Sequence, residues 1–188
     1  MTQPVQRWNA LAQIFHWMIA ALIIVQAGIG LTMVTLPKRP SIIPIYDLHK
    51  SIGLTILALA ILRLLWRLAS RHPGLPAHVP SWERGTARAT HIALYVLLFA
   101  IPLSGWLFDS ATSLRPLVWW GVLHMPNLTG GPDASLKVIG HTLHVTLFWC
   151  LVAVTLLHIA AALKHHFIDR DKVLLNMLPR RRRSENSP

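Results

Sequence analysis

Four apolar blocks, each about twenty residues or longer, constrain this chain more than any other feature. An α-helix rises about 1.5 Å per residue, so roughly 20 apolar residues cross the hydrocarbon of a bilayer. The first block runs from about Leu11 to Val34 and the second from about Leu48 to Leu68. The third covers about Ala89 to Phe108, and the fourth about Val138 to Leu163. Prolines punctuate the connections: Pro37, Pro40 and Pro44 after the first block, Pro73, Pro76 and Pro80 in the second connection, and Pro116, Pro126 and Pro132 in the third. Pro102 falls inside the third block, where neighbouring helices satisfy the carbonyl it frees. The expected fold is therefore all-α, an integral membrane four-helix bundle. It forms one domain over residues 1–180, followed by a basic polar tail at 181–188.

Composition agrees. Only 13% of the 188 residues are charged and the mean hydropathy is +0.47, too little charge to cover a soluble domain of this size. A formal charge of +11 raises the question of nucleic acid. The basic residues flank the apolar blocks and trace no continuous face, which excludes that partner. The Arg180–Arg183 run instead suits an anchor on anionic membrane lipid. The sole cysteine, Cys150, lies within the fourth block, so disulfides, a cysteine metal site and covalent haem attachment are all excluded. No cleavable signal peptide is expected, because the first block is too long and no small-residue cleavage site follows it cleanly.

Charge also predicts orientation. Arg7, Arg63, Arg67, Arg71, Arg84, Arg88, Lys164, Arg170, Lys172 and the four terminal arginines fall on one side of the four spans. Lys38, Arg39, Lys50, Arg115 and Lys137 fall on the other. Thirteen against five places both termini in the cytoplasm. The connection from Asp109 to Lys137 is then a long external loop whose Trp119 and Trp120 suit the membrane interface and a cap on the bundle.

Eleven histidines remain, and histidine inside a span is costly unless it is paired or functional. His144 and His158 are fourteen residues apart, nearly four whole turns, so both project from one face of the fourth helix roughly 21 Å apart. One helix thus offers one ligand to each of two metal centres stacked across the bilayer. By depth, His16 matches His158 at the cytoplasmic end and His49 matches His144 at the external end. Neutral imidazoles on both faces of an iron make a closed, six-coordinate haem b suited to electron transfer. His91 has the same depth as His16 and competes with it. His141 lies roughly 100° off the face that His158 shares with His144. Arg63, fourteen residues after His49, shares its helical face at cytoplasmic depth. It either pairs with a haem propionate or snorkels to the headgroups. Gly28, Gly30, Gly53 and Gly105 lie within spans and admit either a flat macrocycle or a neighbouring helix.

Several runs resemble the bacterial cytochrome b561 family: Ile14-Phe15-His16-Trp17, Asp47-Leu48-His49-Lys50-Ser51-Ile52-Gly53 and Arg63-Leu64-Leu65-Trp66-Arg67-Leu68. His91-Ile92-Ala93-Leu94-Tyr95 and Pro102-Leu103-Ser104-Gly105-Trp106 belong with them, as does His144 with His158, Ala160 through Phe167 and the closing Leu174 through Arg180. The resemblance covers nearly the whole chain, with the loop after Asp109 departing most. It implies a di-haem b cytochrome of the bacterial inner membrane, similar to a superoxide oxidase. Such a member takes an electron from superoxide at the periplasmic face and passes it through both haems to ubiquinone. Carried over, His16 and His158 would hold one haem, His49 and His144 the other, and His165 would lie near the quinone.

The residues accommodate such a path. Lys38, Arg39, Lys50 and Lys137 make a positive external rim, which raises the encounter rate of a small anion. Lys50 and Lys137 adjoin the haem-bearing ends and are the expected catalytic pair. His165 falls seven residues past His158 on nearly the same face, placed to hydrogen-bond a quinone carbonyl and supply protons. Two rivals stand beside this reading. One is a haem b subunit serving a partner dehydrogenase or hydrogenase as its redox protein. The other is a histidine-lined transporter or a metal carrier, for which no inverted repeat or broken-helix pair speaks.

Overall fold

Each helix starts and stops where local chemistry dictates. In the computed structural model, which describes residues 7–70, 73, 79–112 and 115–179, helix α1 spans Ala10–Thr35. The Asn9 side chain opens it by accepting the Ala12 N–H at 2.9 Å. It ends where Pro37 forces Leu36 into extended backbone. A single tight turn at Pro40–Ile42 leads directly into helix α2, Ile43–Ala69. Pro44 therefore does not break the chain: it occupies the first turn, where a missing N–H costs nothing, and α2 begins five residues before Leu48. Helix α3, Ser81–Thr112, also starts early, with two polar turns preceding Ala89 and Pro102 accommodated inside it. Helix α4, Ala134–Phe167, is capped by the Asp133 carboxylate, which accepts the Leu136 N–H at 2.8 Å. Arg71, Pro76, the Arg180–Arg183 run and the 181–188 tail lie outside the described residues.

All four helices are long and apolar enough to cross a membrane. Consecutive helices pack together, α3 against α4 most closely. The reason is Gly140: a Cβ there would come within 2.8 Å of the Phe108 backbone nitrogen, so only glycine lets α4 approach α3 so nearly. The core joins Ile19 of α1, Ile52, Ile56 and Ala60 of α2, and Leu98 of α3. Ile24, Val34, Leu68 and Val138 point outward, as lipid-facing residues do.

Both ends of the bundle are closed. At one end, the third connection forms a two-stranded hairpin, β1 (Val118–Trp119) and β2 (Leu123–His124), with Val118 opposite His124. Trp120 at the tip has a φ of 52°. That strain is held by α2, since the Trp120 N–H donates to Ser51 Oγ at 3.1 Å and its indole to Thr55 Oγ1 at 3.0 Å. Trp119 donates its indole N–H to the Ser51 carbonyl and to Thr55 Oγ1, both at 3.1 Å. At the other end, residues 168–179 cross from α4 back to α1. There Gln13 donates to the Asn176 carbonyl at 3.0 Å, Trp17 to that of Met177 at 2.9 Å, and Arg7 to that of Leu178.

Candidate functional site

Two groups of imidazoles meet inside the bundle, one near each end. Near the hairpin, His49 of α2 faces His144 of α4 with ring centres 6.2 Å apart and planes at 76°. Two glycines make room for these rings. A Cβ at Gly30 would lie 3.2 Å from His49 Cε1, and one at Gly105 would lie 3.0 Å from His144 Cε1. Gln26 donates to the His49 carbonyl at 2.8 Å. His144 Nδ1 lies 2.9 Å from the Ile101 carbonyl and 3.3 Å from Ser104 Oγ. A carbonyl only accepts, so Nδ1 carries the proton and the Nε2 lone pair stays available to a metal.

At the opposite end, His16 of α1 and His158 of α4 face each other with ring centres 6.3 Å apart. His91 of α3 joins them, 5.5 Å from His158. Arg63 points inward rather than snorkelling, its Nη2 3.1 Å from His16 Nδ1 and its guanidinium over the Tyr95 ring at 5.6 Å. Arg67 stacks over Trp8 at 5.4 Å.

The residues fit a haem at both places. With metal–nitrogen bonds of about 2 Å on each side, an iron between two imidazoles sets the ring centres roughly 6.3 Å apart. His49 Nδ1 is buried without a hydrogen-bond partner, so the ring has an uncommitted donor or acceptor. Any larger residue at Gly30 or Gly105 would crowd the His49 or His144 ring. All four facing imidazoles come from helices rather than loops, which places them more precisely.

The remaining candidates fall less simply. Lys50 is no isolated cation: its Nζ lies 3.2 Å from both Asp47 and Asp109. Arg115 sits 3.7 Å from the same Asp47, so two cations and two carboxylates balance locally. A cleft of about 310 Å³ opens beside them, lined by Asp47, Leu48, Ser51, Arg115 and Trp120. Lys137 stands exposed in the first turn of α4. His165 is buried rather than exposed and bonds Asp171 at 2.7 Å. His141 is exposed and packs on the Phe108 ring, apart from the facing pairs. Asp109, Asp171 and the Ile101 carbonyl escape a reading by histidine spacing. The signal for the first two is scarcity: with seven acids in 188 residues, each one beside a helix end invites a partner.

A family profile described as prokaryotic cytochrome b561 matches residues 7–180. The chain is 38% identical over 185 residues to cytochrome b561 homolog 2 of Escherichia coli (strain K12), covering 94% of each. It is 30% identical over 138 residues to cytochrome b561 homolog 1 of the same organism, covering 72% of this chain and 76% of that one. It is also 25% identical over 181 residues to the probable superoxide oxidase CybB of Yersinia pestis, covering 94% and 98%. With such a match over nearly its whole length, the chain belongs to the prokaryotic cytochrome b561 family, membrane proteins that carry electrons through haem b.

Proposed function

We propose that this chain is a two-haem oxidoreductase of the bacterial inner membrane that passes electrons from superoxide at the periplasmic face to ubiquinone near the cytoplasmic face. The observation that carries it is the pair of facing imidazole sets, 6.2 Å and 6.3 Å between ring centres, at opposite ends of one bundle. His49 and His144 would hold the outer haem, and His16 and His158 the inner one. Haem iron, when bound, supplies reversible one-electron storage. Everything else falls to the side chains. Gly30 and Gly105 keep the rings upright, and the Ile101 carbonyl fixes the His144 tautomer. Arg63 can only donate, so it makes His16 Nδ1 an acceptor and leaves that ring's proton on Nε2. Turning to a propionate carboxylate, for which it is suited, would release the ring to bind iron through Nε2.

At the periplasmic end Lys38, Arg39 and Lys137 supply the field that draws a small anion. Lys50 works differently from an exposed cation: bonded to Asp47 and Asp109, it ties α2 to α3 one residue from His49. The cleft beside Ser51 and Arg115 gives the anion an approach to that end. Superoxide needs only to lose an electron, so no acid or base is required there. Ubiquinone takes two electrons and two protons, and His165 is the donor at hydrogen-bonding depth. Similarity to a protein named as a probable superoxide oxidase supports the donor.

A second reading is a haem b subunit docked to a partner dehydrogenase or hydrogenase. The exposed hairpin tip, with Val122 82% exposed, favours it. An optical spectrum of the detergent-purified protein, with superoxide and then a ubiquinone analogue added, separates the two. A bis-histidine haem b spectrum reduced by superoxide and reoxidised by quinone is the expected result. Haem indifferent to superoxide transfers the case to the partner reading, and a colourless protein overturns both.

A further inference from the structure

We infer that Asp171 positions His165 as proton donor to the quinone, with Asp169, Glu83 and Lys164 linking the pair to the cytoplasm. This rests on the quinone reading above. His165 closes the last turn of α4 and is 8% exposed. Its Nδ1 lies 2.7 Å from Asp171 Oδ2 and 3.3 Å from Asp169 Oδ2. Carboxylates only accept, so Nδ1 carries a proton and Nε2 is the nitrogen left for a substrate oxygen. Asp171 is itself fixed. Its Oδ1 accepts the Val173 N–H at 2.9 Å, and its own N–H donates to the His165 carbonyl at 3.0 Å. A carboxylate held so firmly against one imidazole nitrogen orients the other, as it does for histidines that act as acids.

The surrounding charges form a graded series. Side-chain exposure rises from 6% at Asp171 through 16% at Glu83 and 24% at Asp169 to 40% at Lys164. Lys164 bonds both Glu83 oxygens, at 3.0 and 3.1 Å, and Asp169 at 2.8 Å. Glu83 arrives from α3, Lys164 from α4, and the two aspartates from the strap that returns to α1. Three carboxylates thus lie around His165 and Lys164, leading from the buried imidazole to the more exposed ammonium. The balance is simple. Two superoxides give up one electron each and become dioxygen. Each O–H bond formed on the quinone breaks one N–H at His165, which then regains its proton along the carboxylate series.

The test compares the haem-loaded, full-length chain with Asp171→Asn and Asp171→Glu, using superoxide and a soluble ubiquinone analogue. Haem reduction by superoxide without quinone should stay within about twofold of wild type, since electrons enter at the other end. Quinol formation should fall about tenfold in Asp171→Asn and return in Asp171→Glu, which keeps the carboxylate. Nitrogen-15 histidine spectra should show the His165 Nδ1 proton in wild type and its weakening in Asp171→Asn. Undiminished quinol formation in Asp171→Asn, with normal quinone reduction in wild type, overturns the inference alone. A wild type that forms no quinol overturns the quinone reading and the inference with it.

Discussion

At the residue scale, depth alone identified the histidines that meet, because a helix converts sequence separation into height with little error. It did not say which of three imidazoles would face iron at the inner haem. His16, His91 and His158 share a depth, and their ranking depends on interhelical distance, which no single helix encodes. The 6.3 Å between His16 and His158 matches the spacing of the outer pair, while 5.5 Å between His91 and His158 is too close for an iron between the rings. His16→Ala should therefore leave about one haem per chain and His91→Ala about two, as read by pyridine haemochrome against protein mass. One haem in His91→Ala and two in His16→Ala would reverse the assignment. The Ile101 carbonyl was invisible for a different reason: any backbone oxygen looks the same in a sequence.

At the element scale, four helices were legible from apolar length, since an uninterrupted apolar run of about twenty residues satisfies its own backbone groups in lipid only as a helix. Their ends were less so. Pro44 reads as a breaker but serves as a first-turn residue, and the two polar turns of α3 before Ala89 carry no hydrophobic signal. The hairpin was hidden because its strands are two residues long and its tryptophans bond to Ser51 and Thr55 of α2, far away in sequence. Glycines in spans also look alike in sequence, yet differ in what surrounds them. A Cβ at Gly140 meets the Phe108 backbone, whereas one at Gly28 meets nothing within 4 Å. Gly140→Leu should destabilise the bundle by about 1–3 kcal/mol by forcing α3 and α4 apart. Gly28→Ala should be neutral or slightly stabilising. Thermal melts in detergent, followed at the Soret band, distinguish these, and equal melting for both variants would refute the close-packing role of Gly140.

At the scale of the whole molecule, hydropathy and charge run along one dimension, so a four-span topology follows from the sequence. Contacts that close the ends do not, because they join residues as far apart as Gln13 and Asn176. An even number of spans puts both termini on one side, and the Arg7 bond to the Leu178 carbonyl is consistent with that. Which side is a matter of charge alone: thirteen basic residues at the terminal end against five at the hairpin end favour a cytoplasmic terminal end. The proposed direction of electron flow depends on this, since superoxide must meet the hairpin end from the periplasm. In a Cys150→Ser background, a thiol-reactive probe that cannot cross the inner membrane should label Val122→Cys in intact cells. It should label Lys172→Cys only after lysis, because that residue follows α4 on the opposite side. Labelling in the reverse order would put the Lys137 field and the His49–His144 end in the cytoplasm, and periplasmic superoxide could then no longer be the donor at that haem.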